Sequence, residues 1–331
     1  MILHIMADSS KHINYPFIEF VNNHFDKNEH FFILCSAEKN ISKFENAITK
    51  DIFTQEEFFI KNMKKAKQII LHGLWYDKLC EILLNNEKFF EKTYWVMWGG
   101  DFYFPEKQSE IKKETIKHIK FFVTENKWDY KYLINKYSIK GKRINCFAYP
   151  SNIYKEINTR LKKKSIINIQ IGNSADPTNN HKDILNKLYK YKNKNIRVYA
   201  PLSYGDTIYA EKIIKYGKNL MKNKFIPIKK IIPLKNYLNF LSNIDIAIFA
   251  HERQQAFGNI ITLLGMGKKI YLKPNNSLWK YFQEKEIIVY DYNNLENTLF
   301  EKKDLSKNVE IIKFYFSIEN LKAQWENIFI I

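Results

Sequence analysis

Five consecutive polar side chains, His251-Glu252-Arg253-Gln254-Gln255, stand between an apolar run at 244–249 and a helix-like stretch at 256–266. An ordinary crossover needs only a cap and a turn residue there. Unpaired N–H groups at a helix N-terminus, together with the positive end of its dipole, make such a junction an anion site. Arg253 adds a planar fork that fits phosphate. Gly258, just inside the helix, costs about 1 kcal/mol of helix propensity relative to Ala and lets a ligand approach the backbone. The stretch reads as a cradle for a sugar diphosphate, although a solvated loop in a plain crossover would use the same residues.

Other strand ends offer further chemistry. Gly172, Asn173 and Ser174 open a loop in which glycine allows close approach and two short side chains supply donors for phosphate oxygens; a polar turn with a helix cap explains them equally. Tyr204, in Pro201-Leu-Ser-Tyr-Gly205, can stack on a base or sugar, or simply pack. Trp95-Val-Met-Trp98 runs into Gly99-Gly100-Asp101, placing a carboxylate beside rings able to stack on sugars and exclude water. A general base near an interdomain cleft would stand there, and so would an Asp that caps the next segment. His72, before Gly73, and His12, in the first loop, are the other acid–base candidates, each also compatible with a structural role. The chain has no Asp-x-Asp, the usual metal clamp on a diphosphate, so no metal site and no cofactor are expected. It also lacks GxxxxGK[ST] and GxGxxG, which excludes a P-loop and weakens a dinucleotide role.

These loops must be carried by alternating strands and helices. Residues 1–7 read as a buried strand, with Asp8-Ser9-Ser10 as caps for a helix carrying Phe17, Phe20, Val21 and Phe25. Strand-like runs follow at 31–35, 66–72, 93–98, 121–124 and 143–149, with helical stretches at 76–85, 107–120 and 128–137; residues 51–59 are ambiguous. After a polar, lysine-rich segment the alternation restarts, with strands at 166–171, 196–200, 224–228, 244–249 and 269–272. Such alternation implies mostly parallel sheets covered on both faces, with ligands outside the carboxyl ends of the strands. The expected organisation is a domain at 1–150, a linker at 151–164, a second domain at 165–316 and a helix at 317–331. In that tail Ile318, Leu321, Trp325, Ile328 and Phe329 share one face, suited to packing back across the domains.

With 331 residues, 45% hydrophobic, the chain is globular and long enough for two cores. Cys35, Cys80 and Cys146 lie far apart and form no metal spacing, which suits buried thiols in a reducing cytoplasm. The net charge of +18 is uneven: residues 1–150 hold 23 Lys+Arg against 19 Asp+Glu (+4), the remainder 30 against 16 (+14). A basic second half suits a polyanionic ligand or an anionic membrane face, and an AT-rich coding bias would also scatter lysines so. No nucleic-acid recognition module is evident, so nucleic acid is not an expected partner. No apolar run reaches the roughly 18 residues of a membrane span, and the N-terminus lacks a signal pattern, so a soluble or peripheral protein is expected. In the stretch 107–120, Lys112, Lys113, Lys117 and Lys120 beside Ile111, Ile116 and Ile119 could lie on anionic lipid, or form a solvated face.

The segments WVMWGGDFY, IQIGNSADPTNNH, PLSYG and HERQQAFGNIITLLGMGKKIYL, in this order and spacing, resemble the bacterial transferases that move 4-acetamido-4,6-dideoxy-D-galactose from a dTDP-linked donor. Their acceptor is a polyprenyl-diphosphate disaccharide of enterobacterial common antigen. The resemblance spans nearly the whole chain and is patchy between motifs. It implies an α/β GT-B architecture, two doubly wound Rossmann-like domains facing each other across a cleft, with inversion, no bound metal and work as a peripheral protein on the cytoplasmic face of the inner membrane. It implies donor contacts at Gly172, Asn173, Ser174 and Tyr204, and at Arg253, Gln254, Gln255 and Gly258, with Asp101 and His12 on the acceptor side; Glu252 and Asn259, flanking those residues, complete the expected donor set. Ala175, Pro177 and the His251-Glu252 pair depart from the family pattern, which bears on the sugar or base that is read. The expected activity is therefore glycosyl transfer from a nucleoside-diphosphate sugar to a lipid-linked glycan, with Asp101 ahead of His12 and His72 as base. The alternatives are a GT-B enzyme using a UDP- or GDP-sugar, a sugar-nucleotide epimerase, and a basic nucleic-acid-binding protein.

Overall fold

The computed structural model describes residues 1–7, 11–37, 43–156 and 166–330. The chain divides into two compact units, Met1–Ser151 with Ile318–Ile331, and Asn152–Ser317. The proposed caps at 8–10 and most of the expected linker lie outside the described residues.

The first unit is built on seven parallel strands: β1 (Ile2–Ala7), β2 (His30–Cys35), β3 (Ala47–Lys50), β4 (Gln68–His72), β5 (Thr93–Val96), β6 (Phe121–Val123) and β7 (Lys142–Ile144). Their order is β3-β2-β1-β4-β5-β6-β7. β1 is buried along its whole length, as a central strand of a parallel sheet covered on both faces is, and it pairs on both edges, Ile5 lying opposite Ile33 of β2 and Leu71 of β4. The chain winds outward from β1 through β2 to β3, then returns to β4 on the other side, so the order reverses between β1 and β4. A doubly wound sheet opens a ligand crevice at that reversal, at the carboxyl ends of the strands. β3 carries no strong apolar signal, and the ambiguous stretch that follows resolves into the helix Glu56–Lys65, which buries Phe59 and Met63.

The helix Ile318–Ile330 docks on this first unit. Trp325, fully buried, donates its Nε1 proton to Ala148 O (2.7 Å), and Gln68 Nε2 donates to Ile328 O (2.9 Å). The two bonds fix the helix axially, while the apolar face seen in the sequence supplies the burial.

The second unit has six parallel strands: β8 (Ile167–Ile171), β9 (Ile196–Pro201), β10 (Phe225–Ile228), β11 (Ile246–Phe249), β12 (Lys269–Leu272) and β13 (Tyr290–Asp291). Their order, β10-β9-β8-β11-β12-β13, reverses between β8 and β11. The core joins Ile169, Ile171, Val198 and Ile248 with Leu185 and Leu188 from the helix His181–Tyr189. The three cysteines are free and buried, and burial raises the Cys80 thiol to about 11, so it stays protonated and unreactive.

Candidate functional site

In the second unit, the loops after β8, β9 and β11 meet at the reversal point. Gly172 follows β8 with φ +61°, and a Cβ there would lie 2.5 Å from His181 Nε2 and 2.6 Å from Asn179 Oδ1. Only glycine lets the chain turn so tightly against those side chains. Asn173 N donates to Asn179 Oδ1 (2.8 Å), and Asn173 Nδ2 donates to the Tyr204 hydroxyl (2.8 Å). Tyr204 remains 53% exposed although its hydroxyl is anchored. The loop after β9 is held against the first by Ala175 N→Tyr204 O (2.8 Å) and Asp206 N→Ala175 O (3.0 Å). Ser174 is buried, its hydroxyl facing Asn179 Nδ2. Asn173 and Ser174 therefore use their side chains to shape the loop.

Arg253, in the loop after β11, donates from Nη2 to Asp176 Oδ2 (3.0 Å) and from Nη1 to Gln254 O (3.2 Å). Asp176 also caps the short turn Pro177–Asn179, accepting from Thr178 N (2.9 Å) and Thr178 Oγ1 (2.7 Å). Burial opposes ionisation of Asp176, but the Thr178 donors and the Arg253 guanidinium outweigh it and hold its carboxyl below the ordinary value. Gln255 is buried and bridges Thr178 Oγ1 (2.9 Å) and Asn173 Oδ1 (3.4 Å). His251 is fully buried with Nε2 at 3.0 Å from Asn179 Oδ1, and burial, aided by Arg253, lowers its pKa to about 3. It is a neutral strut that cannot serve as a proton donor at neutral pH.

The arginine loop is pinned from behind by Asn276, which donates to His251 O (3.1 Å) and Arg253 O (2.8 Å). The helix Phe257–Gly265 then begins after Ala256, itself at φ +60°, with no side chain capping its first N–H groups. An uncapped helix start beside a fixed guanidinium is an anion-binding arrangement. Gly258 and Asn259 lie in its first turn, half-buried, and the Tyr237 hydroxyl engages Asn259 and Gln170. Glu252 turns elsewhere: its carboxylate accepts from Asn180 Nδ2 and pairs with Lys273. Gln254 contributes its carbonyl to Arg253. The structure thus gathers Gly172, Asn173, Ser174, Tyr204, Arg253, Gln255, Gly258 and Asn259, and sets Glu252 to one side. Asp176, Asn179, His251, Asn276 and Tyr237 complete the cluster. For Asp176 the sequence offered a signal, an Asp two residues before a Thr, the spacing of a capping turn; for Asn276 and Tyr237 it offered none.

The acid–base candidates of the first unit separate sharply. Asp101 is fully buried. Its Oδ2 accepts from Leu74 N (3.0 Å) and Trp95 Nε1 (2.9 Å), and its Oδ1 accepts from Trp98 N (3.1 Å). Burial pushes its pKa up while those donors pull against the rise. With three donors the carboxylate staples two loops, the capping role that the sequence left open beside that of a base. His72 is likewise buried between His4 Nδ1 (3.1 Å from Nε2) and the Tyr149 hydroxyl (2.8 Å from Nδ1), and burial lowers its pKa to about 3. His12, in the first turn of the helix Lys11–His24, is the exposed member, and partial desolvation lowers its pKa. That helix is seated on the end of β1 by Asn14 Nδ2→Ala7 O (2.6 Å). Among the described residues no three His, Cys, Asp or Glu side chains are grouped as metal ligands.

The same architecture occurs in solved structures. A glycosyltransferase from Rickettsia africae ESF-5 aligns with TM-score 0.72 at 15% identity, covering 99% of this chain and 97% of that one. Sucrose-phosphate synthase from Thermosynechococcus elongatus aligns with TM-score 0.72 at 11% identity, covering 99% and 98%. HepE of Anabaena, solved with UDP and glucose, aligns with TM-score 0.69 at 10% identity, covering 99% of each chain. Two doubly wound parallel units of this kind are the GT-B fold, and the protein is a glycosyltransferase. The chain belongs to the family of 4-alpha-L-fucosyltransferases, glycosyl transferase group 56, whose sequence profile matches residues 1–331.

Proposed function

We propose that this enzyme transfers an acetamido-dideoxy hexose from a dTDP-linked donor to a lipid-linked glycan, with inversion and without a metal, the second unit holding the donor and the first the acceptor. The observation that carries the donor half is Arg253, oriented by Asp176 beside the uncapped start of the helix Phe257–Gly265. The acceptor hydroxyl attacks the anomeric carbon as the bond to the diphosphate breaks. His12 takes the hydroxyl proton, and the charge arriving on the leaving diphosphate is stabilised by Arg253 and the first helix N–H groups. The exposed Tyr204 ring stacks on the base or sugar. The dTDP preference rests on the motif resemblance alone. A thermal-shift series with dTDP, UDP and GDP tests it, since a ligand at 100 times its Kd stabilises by about 2.7 kcal/mol. Preferential stabilisation by dTDP and turnover that survives EDTA are expected. A preference for UDP or GDP overturns the donor assignment, and loss of turnover restored by Mg²⁺ overturns the metal-free mechanism.

Peripheral membrane association belongs to the same reading, with its contact placed on a surface other than the lysine-bearing helix expected from the sequence. In the helix Glu110–His118, Lys113 pairs with Glu110 and Lys117 with Glu114 (2.7 Å), and Ile116 with the following Ile119 is fully buried in the first unit's core. Lys120 pairs with Glu91 (3.3 Å), Lys112 donates to Gln108 Oε1 (3.2 Å), and Ile111 is half-buried against the core, so little apolar surface is left there to insert. The segment after β10 that runs into the helix Leu234–Ser242, Lys229-Lys230-Ile231-Ile232-Pro233-Leu234-Lys235, has both apolar surface and charge: Ile231 is 77% and Leu234 61% exposed, with the three lysines exposed around them. Ile208, 64% exposed, stands at the start of the helix Thr207–Met221 that follows the neighbouring strand β9. Exposed apolar side chains ringed by lysine suit shallow insertion into anionic lipid. Among the described residues no helix is long and apolar enough to cross a membrane. The protein should pellet with phosphatidylserine vesicles in a salt-sensitive way, and Ile231→Asp with Leu234→Asp should weaken pelleting about tenfold or more. Equal pelleting with neutral vesicles, or an unaffected double variant, counts against this contact.

A further inference from the structure

Two tryptophans outside the cluster described above stand at the carboxyl edge of the first unit's sheet, beside its reversal point. Trp75 lies just after β4, and Trp98 just after β5. Their ring centroids are 5.7 Å apart with planes at 79°, so the two indoles form a corner. Trp75 is 37% exposed, although a residue of its size is ordinarily buried in a core.

The local backbone is shaped around this corner. Gly73 sits at φ +89°, and a Cβ there would stand 2.2 Å from Trp75 Nε1; a Cβ at Gly100 would stand 3.2 Å from the far edge of the same indole. The Trp75 ring therefore spans two glycine turns, one at each end of the indole. Asp101 ties the turns together, accepting from Leu74 N on one and from Trp98 N on the other. Trp98 is locked separately: its Nε1 donates to the Tyr149 hydroxyl (2.9 Å), which in turn meets His72 Nδ1 (2.8 Å). A buried carboxylate, two glycines and a buried tyrosine hold two large aromatic surfaces in place at the edge of the sheet.

We propose that Trp75 and Trp98 form a carbohydrate subsite that stacks the apolar face of a pyranose ring of the acceptor glycan. A pyranose presents C–H groups on its faces and hydroxyls at its rim, so a flat indole takes the face and leaves the hydroxyls to polar partners. A second indole at a right angle gives the ring a wall and sets its rotation. Asp101 is then a positioning residue for this corner. The inference rests on the reading of the first unit as the acceptor side.

The test is direct binding, independent of donor and turnover. Saturation-transfer NMR with N,N′-diacetylchitobiose should show transfer to ring C–H protons in the parent protein, at largely parental level in Trp75→Phe. Affinity should fall about tenfold in Trp75→Ala and several-fold in Trp98→Ala, the range expected for loss of one stacked ring. Thermal shift by dTDP in Trp75→Ala should match the parent. Should dTDP fail to bind any of these proteins while the disaccharide signal depends on Trp75, the donor assignment fails and the subsite stands. Absence of transfer in the parent, or parental transfer in both alanine variants, overturns the subsite. If Trp75→Ala does not fold, a Trp98→Ala protein at parental affinity overturns it alone.

Discussion

Asp101→Asn should unfold about 3 kcal/mol more easily than the parent in a urea titration, whereas His12→Ala should unfold like the parent and turn over about 10²- to 10⁴-fold more slowly. The first effect follows from the loss of acceptors. Asp101 receives three hydrogen bonds in a fully buried site, and the amide –NH₂ of Asn would face N–H donors with nothing to offer them. A buried donor left without an acceptor costs about 1–3 kcal/mol, and more when the lost partner was charged. The second effect is the ordinary worth of a positioned base. His12 is exposed at the start of its helix, and its lowered pKa leaves the imidazole neutral and ready to accept a proton at neutral pH. Parental stability in Asp101→Asn with turnover lost would return the base to Asp101, and parental turnover in His12→Ala would remove it from His12.

Arg253→Ala should weaken nucleoside-diphosphate binding about 10- to 100-fold, as expected when a charge-assisted contact is removed. Arg253→Lys should recover only part, because an ammonium can meet Asp176 or the diphosphate but lacks the planar fork that addresses both. The substitution also carries a pH signature. The Asp176 carboxyl is held below its ordinary value partly by Arg253, so its contribution to stability is present above the unfolded carboxyl pKa and lost as pH falls through the folded value. Without the guanidinium that depression shrinks, and the acid side of the stability profile flattens. Parental dTDP and UDP affinity in folded Arg253→Ala would remove this residue from the donor site.

Local pattern carried a large part of the fold. Apolar runs such as 1–7 and 66–72, each followed by a helical period, announce a parallel sheet because only strands covered on both faces are apolar throughout. The loops that matter were legible for the same reason: Gly172, Tyr204 and Arg253 all follow such runs. β3 and the short β13 were not legible, since four and two residues of mixed polarity carry no period.

What sequence alone determined is the alternation of elements, the loops at their carboxyl ends and the residue types available there. Tertiary structure decided what each of those residues faces. Arg253 meets Asp176 across 77 positions and Leu74 meets Asp101 across 27; His4 meets His72 across 68. These pairings depend on β11 lying beside β8, and β4 beside β1 and β5. A carboxylate at a strand end has the same local sequence whether it greets solvent as a base or closes on buried N–H groups as a staple. Strand order chooses between them, because it brings the donors, and a buried carboxylate must be satisfied by whatever donors arrive.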